Sequence, residues 1–228
     1  MASTIQLQRT ITYASSFVRY APLTMSSDDP AFSNADWVRQ FILSAPFAWR
    51  WNRTVTKIQC AVGQSDYSVA LPNFGWIEKA VCVDPNNGYS STELEVAINL
   101  VPDTLPNLPA KISAQLDDGA GNITFRVFPA PDSAYIIYVT SQNAAPIFAE
   151  TTDTWAPIPD FMSYIVTQGF LAKTYEYTGD PRFQSAMQLF LTLLTSANDG
   201  LTETQRNLFI ADRLNTTREQ LKLQQGKQ

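Results

Sequence analysis

Between Phe125 and Tyr177 the hydrophobic period of the chain changes from two residues to about 3.6, across a single proline-flanked loop. Such a change marks a sheet handing over to a helical layer, which points to an α+β fold. On the early side, FRVFPAPDSAYIIYV (125–139) reads as two short strands around Pro129 and Pro131, rich in residues that suit a pleated surface. On the late side, IPDFMSYIVTQGFLAKTYEY (158–177) reads as one long helix. On a wheel of about 100° per residue, Phe161, Tyr164, Ile165, Leu171, Ala172 and Tyr175 share an arc about 120° wide, an ordinary core face. Met162, Val166, Phe170 and Tyr177 form a second apolar arc roughly opposite, interrupted chiefly by Lys173. A helix apolar nearly all round is either central in its own domain or shared with a neighbouring subunit. On the second reading Met162, Val166, Phe170 and Tyr177 are the subunit-interface residues.

The 228 residues suffice for one large or two small domains with a sizeable core. Cys60 and Cys82 are its two cysteines, and both fall in apolar strand-like runs. They are expected to be small buried hydrophobes in a reducing compartment, with a disulfide between them as the alternative. No apolar run reaches membrane-spanning length, and the start, MASTIQLQRTITYASS, lacks the basic lead and apolar core of a secretory signal, so a soluble protein made in a cytoplasm is expected. The formal charge is −5 and there is no histidine, so any acid–base or metal chemistry must do without imidazole. Net acidity argues against a dedicated nucleic-acid binder, whose footprint is a basic stripe.

The chain divides by pattern into an N-terminal arm (1–33), a helix and junction (34–52), a β-rich domain (53–156), a helical body (157–200) and a last helix with its tail (201–228). The arm is polar, with a loop signal at Ser26, Ser27, Asp28, Asp29 and Pro30, and is expected to be extended or irregular. Ser33 or Asn34 is expected to cap a helix carrying Trp37, Phe41 and Ile42, with Pro46 ending it. Phe47, Trp49 and Trp51 then alternate with smaller residues, as in a strand. Seven strand candidates follow, at 54–62, 66–71, 76–83, 93–100, 111–116, 123–128 and 135–140, separated by turn chemistry such as Pro85-Asn86-Asn87-Gly88 and Asp118-Gly119. Seven short strands at this spacing suggest a compact barrel or sandwich. The prolines of VPDTLPNLP (101–109) make that stretch a loop. Asp180 and Pro181 predict the start of a second long helix, stopped at Asn198 to Gly200, and Thr202 with Gln205 matches a capping box for a last one. The end, NTTREQLKLQQGKQ, reads as a slightly basic tail that orders against a partner.

Catalytic patterns are sparse. A nucleophile would lack its commonest base, zinc would lack closely spaced cysteine or histidine ligands, and no phosphate-cradling GxxxxGK[ST] occurs. Asp117, Asp118 and Asn122 offer oxygens for calcium, but no glutamate follows at the spacing of a calcium loop. Glu93 and Glu95 share a strand face and read as solvent-facing rather than as a glycosidase pair. Trp37, Trp49, Trp51 and Trp76 read either as packing between the first helix and the sheet or as a sugar or base platform. No catalysis, cofactor or metal is expected.

The helix ending in a tryptophan-rich junction (APFAWRWN, 45–52), the β-rich middle, and the proline-containing strand pair running into IPDFMSYIVTQGFLAKTYEYTGDPRF together resemble the head-to-tail adaptors of tailed bacteriophages, including the tail tubular protein A group. The likeness covers most of residues 34–197. It implies a structural virion protein of the neck, assembled in the host cytoplasm. It further implies a homo-oligomeric, commonly dodecameric ring under the portal that extends the DNA channel without binding DNA specifically, and that offers a platform for tail or nozzle proteins. Carried onto this chain, residues 160–197 would be the ring body and the last helix would dock to the portal protein, with Arg213, Arg218 and Lys222 as contact candidates. A tail terminator or stopper ring is the alternative within this class. From another class, a carbohydrate-binding β-module would display Trp49, Trp51 or Trp76 to a glycan.

Overall fold

The computed structural model describes residues 3–18, 29–101, 105–198 and 201–225, with the side chains of 116–117 and 215–225 outside that description. The loop signal at Ser26, Ser27 and Asp28, the helix stop at Gly200 and the last three residues of the tail also lie outside it. Two compact units form: Met1–Ile42 with Ala145–Gln228, and Leu43–Ala144.

The first unit is helical: α1 (Leu7–Phe17), α2 (Pro30–Leu43), α3 (Ser163–Thr178), α4 (Phe183–Ala197) and α5 (Glu203–Gln225). Within the N-terminal arm, Leu7–Phe17 is therefore helical rather than extended or irregular. Leu7, Ile11 and Ala14 recur at helical spacing and are buried, a signal hidden by the polar residues between them. Ahead of α1 the backbone is stitched to the approach to α3. The Leu7 and Trp155 amides donate to the carbonyls of Asp153 and Ile5, while the Thr4 amide and hydroxyl and the Ser3 hydroxyl donate to the Asp160 carboxylate. Those bonds hold the Asp160 carboxyl below the usual carboxylate range. The indole of Trp155, fully buried, donates to the Thr10 hydroxyl at 3.0 Å.

α2 begins earlier than Ser33 or Asn34. Asp29 accepts from the Ala31 amide at 2.8 Å and Pro30 takes the first helical position, so the aspartate–proline pair that reads as loop chemistry is a cap. Trp49 to Asn52 likewise departs from expectation, because Arg50–Asn52 forms a 3₁₀ turn rather than a strand. Farther on, Gly179 closes α3 at φ +68°, with the Gly179 and Asp180 amides donating to the carbonyls of Glu176 and Tyr175, a C-terminal cap that needs left-handed backbone. The capping box at the start of α5 forms: the Thr202 amide donates to the Gln205 side chain at 2.9 Å and the Gln205 amide to the Thr202 hydroxyl at 3.3 Å. The helix it starts runs to Gln225, so the backbone of the expected tail is helical through that residue.

The second unit holds seven strands, β1 (Arg53–Gln59), β2 (Asp66–Ala70), β3 (Phe74–Asp84), β4 (Ser90–Val96), β5 (Lys111–Asp117), β6 (Asn122–Phe128) and β7 (Ile136–Asn143). They pair in the order β1-β7-β3-β4-β5-β6-β2, antiparallel except for the short parallel step from β4 to β5. The sheet curls into a nearly closed barrel, because one face of every strand supplies a common core: Ile58, Tyr67, Ile77, Leu94, Ile112, Phe125 and Ile137 among others. Strict alternation along β6, with Ile123, Phe125 and Val127 buried, is the pattern that made these strands legible.

Cys60 and Cys82 are free thiols in this core. Burial raises Cys60 to about 11 and Cys82 to about 12. Neither thiol of the native protein is therefore expected to react with iodoacetamide at pH 8, whereas both should label in denaturant; mass spectrometry of the labelled chain reads the difference. Rapid native labelling of either would contradict this packing.

Candidate functional site: exposed apolar and aromatic surfaces

Met162, Val166 and Phe170, three of the four residues assigned from sequence to a subunit face, are at most 2% exposed within the single chain. These three positions of the second apolar arc are buried within the chain's own fold. Gly169 allows this: a Cβ there would stand 2.7 Å from the Phe190 ring of α4 and 2.9 Å from Val38 of α2, so three helices meet where no side chain intervenes. One turn along, the Lys173 ammonium lies 4.5 Å from the Trp37 ring of α2 and pairs with Glu176. The sequence reading kept α2 apart from the helical layer, and that separation created the apparent excess. Tyr177, the fourth residue, is 56% exposed.

The assumed core arc is corrected as well. Phe161 and Tyr164 are 70% and 52% exposed, while Ile165, Leu171, Ala172 and Tyr175 are buried. Tyr164 lines an open cavity of about 380 Å³ between α1, α3 and α4, together with Arg9, Tyr13, Gln168 and Leu193. Exposed Tyr13 and Phe17, one turn apart on α1, continue the aromatic surface with ring centroids 4.9 Å apart.

On the strand-rich unit the loop from β4 to β5 exposes large aliphatic groups: Ile98 is 90%, Val101 79% and Leu105 75% accessible. Its two shoulders are fixed. The Arg126 guanidinium donates to the Leu100 carbonyl at 3.1 Å while forking onto Asp66 with two bonds of 2.7 Å. That fork holds the Asp66 carboxyl below its usual range. On the other shoulder the Asn107 amide donates to the Ala130 carbonyl, and the Asp132 amide to the Asn107 carbonyl.

Of the cationic candidates on α5, Arg213 lies with its guanidinium 5.5 Å from the Phe41 ring centroid and 5.3 Å from that of Phe209, and is solvent-exposed. The side chains of Arg218 and Lys222 lie outside the described residues. Trp49 is buried and stacked at 5.5 Å on half-buried Trp51, and the half-buried Trp76 donates its indole N–H to the Leu43 carbonyl. The tryptophans thus pack rather than form one open platform. Glu95 pairs with Lys111 at 2.9 Å, and Glu93 and Glu95 both face solvent. The Asp118 carboxylate closes its own turn by accepting from the Ala120 and Asn122 amides; the side chain of Asp117 lies outside the described residues. No cluster of metal-binding side chains occurs among the described residues, nor any helix long and apolar enough to cross a membrane.

The chain is thus a helical unit interrupted by a barrel-like insertion. The family model described as SU10 adaptor protein matches residues 11–217, and the chain belongs to that family of phage head-to-tail adaptors. The match starts within α1, a stretch that the resemblance drawn from residues 34–197 did not include. No curated protein matches the chain.

Proposed function

We propose that the chain is the repeating subunit of a ring seated beneath the portal of a tailed phage, where it extends the DNA channel and offers the surface to which the tail attaches. The match of an adaptor family across residues 11–217, which spans both units, carries this reading. The acidic charge of −5 supports it, since a channel wall of that sign repels phosphate and lets the genome pass. Identical subunits in a closed ring need one surface to meet a different surface of the next copy, so their contacts are heterologous. Met162, Val166 and Phe170 are not accessible for such a contact in this structure; exposed Tyr177 remains a contact residue in this reading. α5 is the portal-docking element, with Arg213, Arg218 and Lys222 as its cationic contacts.

The test is the mass of the purified chain alone and mixed with purified portal, read by native mass spectrometry. A portal carrying one full ring of copies is expected, and removal of residues 203–228 should abolish it. Binding that survives the truncation would take α5 out of the portal contact, and a portal that never takes up the chain would refute the reading. The glycan-binding alternative is disfavoured by the burial of Trp49 and the hydrogen bond that ties Trp76 to Leu43.

A further inference from the structure

The cavity between α1, α3 and α4 measures about 380 Å³, within the range of about 300–1,000 Å³ that small ligands occupy, and every residue lining it belongs to the helical unit. Its wall is mixed. Arg9, Tyr13, Ser163, Tyr164 and Gln168 offer polar groups, while the two tyrosine rings, Ile5 and Leu193 offer apolar surface. We propose that this cavity is a receptor for an acidic peptide segment of a partner protein, in which Arg9 receives the carboxylate of an aspartate or glutamate and the two tyrosines flank the peptide. The site is complete within one copy and goes beyond the ring reading, which neither requires it nor falls with it.

Three observations carry it. The first is charge. α1, α3 and α4 together carry three charged side chains, Arg9, Lys173 and Glu176, and the last two pair with each other. Arg9 has no ion pair or side-chain hydrogen bond among the described residues, and no carboxylate lines the cavity. One unpaired positive charge matches the single negative charge of a carboxylate, and the guanidinium fork fits its two oxygens. The second is hydrogen-bonding capacity. The hydroxyls of Tyr13, Ser163 and Tyr164 have no hydrogen-bond partner among the described residues. The Gln168 side-chain nitrogen donates to the Ala186 carbonyl at 3.3 Å, which leaves its oxygen open to a peptide N–H. Each peptide unit brings both a donor and an acceptor, whereas a phosphate has no N–H to offer the Gln168 oxygen. The third is that the walls are set beforehand. The Thr167 hydroxyl donates to the Ser163 carbonyl at 2.7 Å, buried Thr10 accepts from the Trp155 indole at 3.0 Å, and the Tyr13 ring packs on Phe17 at 4.9 Å between centroids. Little ordering is then left to oppose binding.

The test is titration of the isotope-labelled full chain with acetyl-Leu-Glu-Leu-amide and its glutamine and lysine counterparts, followed by amide chemical shifts. Saturable shifts at Arg9, Tyr13, Tyr164 and Gln168 are expected, with the glutamate peptide bound about fivefold or more tightly than the glutamine peptide, the scale of one charge-assisted hydrogen bond. Arg9 is exposed and unpaired among the described residues, so Arg9→Gln and Arg9→Glu should melt like the parent. Arg9→Gln is expected to erase the preference for glutamate, and Arg9→Glu to transfer it to the lysine peptide, a reversal that a merely structural role would not produce. Equal affinity of the parent for all three peptides, shifts elsewhere on the chain, no saturable shift with any of them, or a glutamate preference that survives Arg9→Gln would overturn the assignment. A thymidine oligonucleotide bound at the same residues more tightly than the glutamate peptide would overturn it as well, in favour of a nucleic-acid contact. Any of these failures would leave uptake of the chain by the portal, on which the ring reading is tested, unchanged.

Discussion

Replacing Gly169 by alanine should destabilise the protein by about 1–3 kcal/mol, the range for overpacking a filled core. The sign makes this a strong test. Helix propensity alone favours alanine over glycine inside a helix by about 1 kcal/mol, so a chain in which α3 were merely one exposed-faced helix would gain stability. Here the new methyl would stand 2.7 and 2.9 Å from two atoms of the Phe190 ring and 2.9 Å from a Val38 methyl. Neither neighbour can swing away, because both are fully buried and Phe190 packs against Phe41 at 5.8 Å between centroids. Leucine at the same position should prevent folding of the helical unit. Urea unfolding followed by circular dichroism reads both variants, and a rise in midpoint for alanine would show that α2, α3 and α4 do not converge there.

Arg39→Met is expected to cost about 3 kcal/mol, the scale for breaking a buried ion pair by removing one partner. Arg39 is 3% exposed, an unusual place for a guanidinium. Its fork donates to the Pro146 carbonyl and, at 3.4 Å, to the Thr154 carbonyl and Asp36, while its plane lies 3.5 Å from the Phe148 ring centroid. Burial pulls the Arg39 pKa down and Asp36 opposes the shift. Asp36 in turn accepts from the Phe148 amide at 2.9 Å. Methionine would fill the volume and leave two carbonyls and a carboxylate without this donor. Lysine keeps the charge without the planar fork and should recover less than half of the loss. Adding Asp36→Asn to Arg39→Met should return part of it, because asparagine still accepts from Phe148 without an unpaired charge. A chemical-unfolding series of the four proteins measures these differences, and an Arg39→Met protein within 0.5 kcal/mol of the parent by the usual uncertainty of a surface substitution would contradict the network.

The barrel was readable because its strands alternate. Ile123, Phe125 and Val127 announce which face is buried whatever they pack against, and turn residues mark the ends. The last helix was readable for the same local reason, since Thr202 and Gln205 satisfy each other within one turn. The helical unit was harder because its logic is long-range. α1 and α2 return to the helical layer across more than a hundred intervening residues, so Val38 at Gly169 and Trp37 at Lys173 gave no local sign of meeting α3. Arg39 is similar: in sequence it is one cation on a helix, and only its partners at Pro146 and Thr154 bury it. The consequence for the candidate site is direct. Met162, Val166 and Phe170 were assigned to a neighbour but are buried within the chain's own fold, whereas Tyr177, the penultimate residue of α3, lies exposed. The stretch 101–109 was read as a loop from its prolines, but residues 97–100 were read as the end of a strand from 93, whereas β4 ends at Val96 and leaves Ile98 exposed with Val101 and Leu105.

Localisation of this chain in the assembled particle tests the central claim most directly, by cryo-electron microscopy of the virion with a small domain fused to its C-terminus. A closed ring of fused density directly below the portal, with the tail beginning on its far side, is the result expected of a head-to-tail adaptor. Fused density anywhere else in the particle, or a particle that matures with head and tail joined while lacking the chain, would contradict it.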